Sequence, residues 1–596
     1  MPAFRLRAAL FVLAACIAAP AGFAQEPLQP APEHEMAPDT LQSIIDDYWA
    51  WGMEENPVFA TSLGVRDYDD RLRDPSLKGI ARREAKTADF VQRLEALDTA
   101  ALSEDEQVNY KLLLLDLKND IEAAKFGGKY FLMTNRYGPQ NDITDLADRL
   151  PFFTLADYES YVARLQAAPA YLQAATATLR AGAEAGWTRP CEAMEGVEDA
   201  IRYHVVADAN DSVLMKPFEK QPATISTRNW RQLKADAADS IDDKVIPALA
   251  AFADFYVQEY APACKDEIGA SALPDGLAYY ALRAKVSTTT DKTPDEIHKI
   301  GLSEVKRIRS EMDKVIKSTG FEGDFKAFQE FLRTDPQFYA KTPEELLAAN
   351  ALVAKKADGA LTQLFTRMPR MPYTVKPIPD DTAEGTTTAY YEPPAGDGSR
   401  PGVYRVNTSK LDTRPLFEIE ALTLHEAVPG HHFQIALAQE TELPNFRKYG
   451  FFTAFVEGWG LYAESLGRDA GFYQDPYSDF GRLSYEMWRA CRLVVDTGIH
   501  TKGWSKQQAI DYMADNTALS LHNIEAEVNR YITNPGQALA YKMGELKMQA
   551  LRKRAQDALG REFDLRRFND ALLANGAVPL SVLEENIDAW IAAEQN

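Results

Sequence analysis

Cysteine occurs four times in 596 residues and histidine eight times. No two cysteines stand at the short spacing of a zinc ribbon or an iron–sulfur motif, which argues against a sulfur-ligated metal. Long apolar runs are missing too. Beyond residue 24 nothing approaches the ~20 consecutive apolar residues of a spanning helix, so no transmembrane span is expected. Positive charge is in deficit, with 65 Lys and Arg against 88 Asp and Glu. The resulting net charge of −23 repels polyanions and gives the chain little claim on nucleic acid. What remains, 46% hydrophobic and 26% charged residues, is ordinary for a folded globular protein too long for one small core.

The first 24 residues stand apart. Arg5 and Arg7 precede the apolar run "AALFVLAACIAA", and "PAGFA" then offers small residues before Gln25, the layout of a cleavable export signal. Cleavage after Ala24 removes two arginines and no acid, taking the formal charge to −25. The alternative is "LAAC", a lipoprotein-type box that would leave the mature chain lipid-anchored at Cys16. Either route predicts a periplasmic or secreted protein. Cys191 and Cys264 can pair in such an oxidising compartment, a pairing the sequence leaves open.

Residues 25–38 are rich in proline and acid and read as a flexible leader. From residue 39 to 290, runs such as "DEQVNYKLLLLDLKNDIEAA" place apolar residues at three- and four-residue intervals, predicting a helical N-terminal region. "TTTDKTPDEIHKIG" is a helix start, which sets a boundary near Asp291 and a C-terminal region over 291–596, the two packed as one body. One stretch departs from helix. "TTTAYYEPPAGDGSRPGVYRVNTSK" reads as an irregular hairpin, with "GVYRVN" (402–407) as a strand edge on which Val403, Tyr404 and Arg405 would hold an extended peptide. The predicted fold class is therefore mainly α, with a small β element.

Three of the eight histidines fall between positions 425 and 432, in "LTLHEAVPGHHFQ". Zinc hydrolases use two imidazoles and a carboxylate on the metal, with a glutamate beside the reacting water, and HExxH supplies most of this from one helix. Here the second histidine comes six or seven positions after the first. On an unbroken helix a seven-residue gap separates side chains by roughly 10 Å, too far to share an ion with bonds of ~2.1 Å. Pro429 and Gly430 resolve this if they introduce a two-residue bulge that returns an imidazole to the metal. His425 and His431 are then the expected ligands, with His432 as alternative, and Glu426 the general base. "FVEGWGLYAE" offers a third ligand, Glu457. Glu464, on the same helical face, and Gln434 are expected to support the ligands by hydrogen bonds. His500 is a candidate for donating to substrate, and Arg530 for binding a substrate carboxylate.

The motifs "HEAVPGHHFQ", "FVEGWGLYAE", "RLVVDTGIH" and "RYITNPGQALAYKMG" are together similar to the bacterial domain-of-unknown-function family number 885, with its HExxPGHxxQ pattern, from about Asp39 onward. That family resembles the gluzincin peptidases, including thimet oligopeptidase, carboxypeptidase Taq and dipeptidyl peptidase III. The resemblance implies a multi-helix body with a deep central channel, one zinc ion and hydrolysis of short peptides. It favours His431 as second ligand and Glu457 as third. It also places Tyr541, or alternatively Tyr531, where a hydroxyl can stabilise developing negative charge. A non-catalytic peptide-binding envelope protein and a metal-dependent hydrolase of a non-peptide amide are the competing readings.

Overall fold

A computed structural model describes residues 39–379, 383 and 386–595. The export signal expected over 1–24, the leader over 25–38 and Cys16 lie outside the described residues. The fold is mainly α with one small sheet. Helices follow the apolar periodicity and start where a side chain can satisfy the free N–H groups of a first turn. Thr40, Ser103, Thr154 and Thr293 each accept the backbone N–H three residues on, and that residue's side chain returns the bond. No helix among the described residues is long and apolar enough to cross a membrane.

An aromatic-rich core including Tyr158, Phe218, Trp230 and Phe252 forms among residues 133–260. A larger core draws mainly on residues beyond 300, among them Phe328, Trp459 and Leu551. Between them Trp187, Tyr279 and Tyr280 pack with Ile297, Leu493, Leu539 and Met543, so the N-terminal and C-terminal regions share a dry contact. Cys191 and Cys264 are joined in a disulfide across 73 positions, and Cys491 is free and buried.

Seven helices of the C-terminal region position the site: α1 (Pro294–Thr319), α2 (Ile419–Glu426), α3 (His431–Gln439), α4 (Thr453–Leu466), α5 (Pro476–Lys502), α6 (Leu521–Thr533) and α7 (Ala540–Leu559). The long helices α1 and α5 lie against one another, and α4 packs between α2 and α7.

The sheet has three strands, β1 (Tyr373–Pro377), β2 (Ala389–Glu392) and β3 (Gly402–Val406), in the order β1-β3-β2. β2 and β3 form the expected antiparallel pair, with Tyr391 opposite Tyr404. β1 then adds in parallel on the other side, with Tyr373 opposite Gly402. This corrects the reading of 402–407 as an edge. β3 is the central strand, its backbone is used on both sides, and Val403 and Tyr404 are buried. Tyr404 donates its hydroxyl proton to Asn350 at 2.7 Å, while Arg405 pairs with Glu392 across the sheet at 3.1 Å. None of the three is placed to receive a peptide. The sequence of β1 carried no hairpin signal, because a parallel partner is joined by a long connection rather than by a turn.

Candidate metal centre

The histidine-rich segment is two helices rather than one bulged helix. α2 ends at Glu426 and α3 begins at His431, with Ala427 (φ −97°, ψ −108°) and Gly430 (φ −76°, ψ −130°) outside the helical region. The chain folds back so tightly that a Cβ on Gly430 would sit 1.9 Å from the carbonyl oxygen of His425, so only glycine fits. Two bonds hold the break. The His432 N–H reaches the Ala427 carbonyl at 3.1 Å, and the Trp459 indole N–H donates to the Pro429 carbonyl at 2.8 Å. Trp459 is fully buried on α4, so the break and the helix carrying Glu457 are fixed to each other.

This brings three donors together. One ligand atom each from His425, His431 and Glu457 lies within 4.8 Å of the others. Glu457 Oε2 is 3.7 Å from His425 Nε2 and 3.4 Å from His431 Nε2. Donors around a tetrahedral zinc with ~2.1 Å bonds stand about 3.4 Å apart, so the spacing suits such an ion. Gly460 allows the approach: a Cβ there would lie 2.6 Å from the His425 ring.

The hydrogen bonds settle which nitrogens are available. His425 Nδ1 donates to Glu464 Oε1 at 2.8 Å, which leaves Nε2 as the nitrogen that faces His431 and Glu457. Glu464 is held in turn by Arg489 at 3.1 Å. Burial opposes charge on His425, but the neighbouring carboxylates of Glu457 and Glu464 outweigh it and raise the imidazole to about 9. Glu457 shows the converse: burial pushes its pKa up, yet the two histidines hold it well below the usual carboxylate range. The pocket thus concentrates negative charge that a cation would balance.

His432 stands outside this triad. Its Nε2 donates to the Met371 carbonyl at 3.0 Å and its Nδ1 accepts from the Tyr391 hydroxyl at 2.8 Å, so both nitrogens are spent. Burial lowers its pKa to about 4, which keeps the ring neutral. Glu426, the last residue of α2, is buried beside His425, close enough for its charge to act on that imidazole. His431 Nδ1 is buried without a partner, and so is Gln434 Oε1 one turn along the same helix. Gln434 therefore does not support His425, the role Glu464 fills.

Tyr541, on α7, stacks nearly parallel to the His425 ring, with centroids 6.4 Å apart. Its oxygen accepts from Arg530 Nη2 at 2.9 Å, so its own proton remains available to a substrate. Tyr531 is differently placed. Its buried hydroxyl takes N–H bonds from Trp488 and from Arg492, both at 2.9 Å, and so anchors α5 to α6. His500 must also be reassigned. Its Nδ1 accepts from the Ala270 N–H at 2.9 Å and its Nε2 donates to the Tyr531 carbonyl at 3.1 Å, leaving nothing for a substrate. Arg530 touches Tyr541, Gln537 and Glu527. Trp459, Gly460 and Arg489 carried no individual signal in the sequence, although "GWG" lies inside the segment that supplied Glu457.

A crystal structure described as that of a "putative lipoprotein" from Colwellia psychrerythraea superposes with a TM-score of 0.88 at 28% identity, over 93% of this chain and 99% of that one. A structure described as a "putative lipoprotein of unknown function" from Shewanella oneidensis gives 0.68 at 18% identity, over 92% and 99%. The second likeness shows the fold alone. No curated protein matches. A family model described as "Bacterial protein of unknown function (DUF885)" matches residues 57–587, and the chain belongs to that family.

Proposed function

We propose that the protein is a zinc metallopeptidase of the cell envelope that hydrolyses short peptides. The observation that carries this reading is the convergence of His425, His431 and Glu457 at zinc-like spacing, directly beside Glu426. Two imidazoles, one carboxylate ligand and an adjacent glutamate form the donor set of a zinc hydrolase site. A zinc ion there would polarise the scissile carbonyl and make a water acidic near neutral pH.

The chain's own residues supply the rest. Glu464, fixed by Arg489, holds His425 in the tautomer that presents Nε2. Glu426 takes the proton from the attacking water and passes it to the leaving amine. Tyr541, its oxygen already engaged by Arg530, donates its proton to the carbonyl oxygen as negative charge grows there. Solvent reaches the site, since Glu457 keeps 13% of its side-chain surface exposed.

The export-signal layout of residues 1–24 supports an extracytoplasmic location, and the description of the Colwellia relative supports Cys16 as a lipid-bearing residue. The test is Glu426→Gln. Metal analysis should find zinc retained, while mass spectrometry of a mixed peptide library should find cleavage lowered by about 10³-fold or more. Wild-type rates in that variant, or chelator-insensitive cleavage by the wild type, would remove Glu426 and the metal from the chemistry.

A further inference from the structure

A charge in a dry environment is costly unless it is matched, so buried guanidiniums and carboxylates are expected in balance. Beside the metal centre three guanidiniums share a single directly paired carboxylate. Glu527 on α6 is fully buried, and three arginines converge on it: Arg492 at 2.8 Å, Arg530 at 3.5 Å and Arg136 at 3.5 Å. Two further acids act on this cluster. Asp496 is occupied by the Tyr280 hydroxyl and the Gly536 N–H, and Glu457 belongs to the metal centre.

The three cations are not equivalent. Arg492 is closed off, with 2% of its side chain exposed and its Nε given to Tyr531. Arg136 and Arg530 keep 24% and 25% exposed. Arg136 comes from the N-terminal region, where Asn135 also bonds Thr533 of α6 at 3.0 Å. Its Nε has no partner, and burial lowers its pKa despite the nearby Glu527. Arg530 is one hydrogen bond from Tyr541, which stacks on a metal ligand. Arg136 and Arg530 meet on Glu527, so the pair lies on the Tyr541 side of the triad.

We propose that Arg136 and Arg530 form a carboxylate-reading subsite, through which the protein takes peptides by their free C-terminus. This rests on the peptidase reading above. A guanidinium fork matches a carboxylate in geometry as well as charge, and the terminal α-carboxylate is the anion that every short peptide carries. Its arrival would give Arg136 and Arg530 a second carboxylate besides Glu527.

The experiment measures binding without turnover. Zinc-loaded Glu426→Gln protein is titrated calorimetrically with one peptide in two forms, free acid and C-terminal amide, and with an amidated version carrying an internal aspartate. The free acid should bind at least about tenfold more tightly than either amide. Adding Arg136→Gln should bring the acid-to-amide ratio to within about twofold; if that variant does not fold, Arg136→Lys should still reduce the ratio, because it keeps the charge and loses the fork. Equal binding of acid and amide, or a preference that survives loss of the Arg136 guanidinium, overturns the subsite. Tight binding of the internal aspartate overturns its assignment to the terminus. Failure of wild-type protein to cut any peptide would count against the peptidase reading, while the binding ratio still decides this one.

Discussion

The two regions of this molecule treat charge in opposite ways. Around the core of residues 133–260, several ion pairs sit in solvent: Arg180 with Glu259 and Lys216 with Asp148 are each roughly half exposed. Among α4–α7, pairs lie in the dry. Arg489–Glu464, Arg492–Glu527 and Lys542–Glu545 are all nearly inaccessible. Exposed pairs contribute about 0–1 kcal/mol, whereas breaking a buried pair costs about 3–5 kcal/mol because the survivor is left uncompensated. The aromatic core of the N-terminal region leans on apolar packing, and the C-terminal region accepts desolvation of whole ion pairs to fix imidazole and guanidinium positions that apolar packing could not specify.

The sharpest test of that contrast is a pair of matched substitutions. Glu464→Ala, which strands both His425 Nδ1 and Arg489, should lose about 3–5 kcal/mol in denaturant unfolding, while Glu259→Ala should leave the unfolding midpoint nearly unchanged. Similar losses at the two sites would erase the distinction. Next in size is the disulfide. It closes a loop of 73 positions, and its reduction should cost about 2–4 kcal/mol, measured as a shift in unfolding midpoint with and without reductant. An unchanged midpoint would mean that the core of residues 133–260 does not depend on the covalent link.

Within the C-terminal region the adjacent histidines should separate cleanly. His432→Ala leaves the Tyr391 hydroxyl and the Met371 carbonyl without a partner and should cost about 1–3 kcal/mol of stability while zinc stays bound. His431→Ala should lose zinc, as metal analysis after dialysis would report. Zinc loss in the His432 variant alone would reverse the ligand assignment.

A further test of buried charge in this region is one of pH. Glu418 is fully buried, and burial, only partly offset by the Tyr485 hydroxyl and by Arg414, raises its pKa to about 8. A carboxyl with a raised folded-state pKa favours the protonated form on folding. Its contribution is complete below its unfolded pKa of about 4.3 and fades as pH rises toward 8. The stability of the wild type relative to Glu418→Gln should therefore decline between pH 4.5 and 8.5. A difference independent of pH would show that Glu418 does not titrate in this range.

Much of the site could be read from local sequence, and the reason is spacing. His425, Glu426 and His431 lie within seven positions, and Pro429 with Gly430 announced that the helix could not continue. The form of the break was not legible: the two-residue bulge proved to be a full stop and restart, because Gly430 passes within contact of the His425 carbonyl. The choice between His431 and His432 was likewise beyond local inspection, since it depends on Tyr391 and Met371, 41 and 61 positions away. His500 and Tyr531 looked available because each is a polar residue in a notable motif. Their partners, Ala270, Trp488 and Arg492, come from other elements and consume them. Arg136 carried no signal at all, being 391 positions from Glu527.

By itself, then, the sequence determined the helical character of the chain, through its apolar period and its capping residues, and the donor types, through the rare histidines clustered about a proline and a glycine. Tertiary structure alone decided which of those donors face one another, which strand of the sheet is central and which arginines share one carboxylate. The physical reason is that hydrogen bonds and charges are satisfied by whatever lies nearest in space, and distance along the chain does not record that proximity.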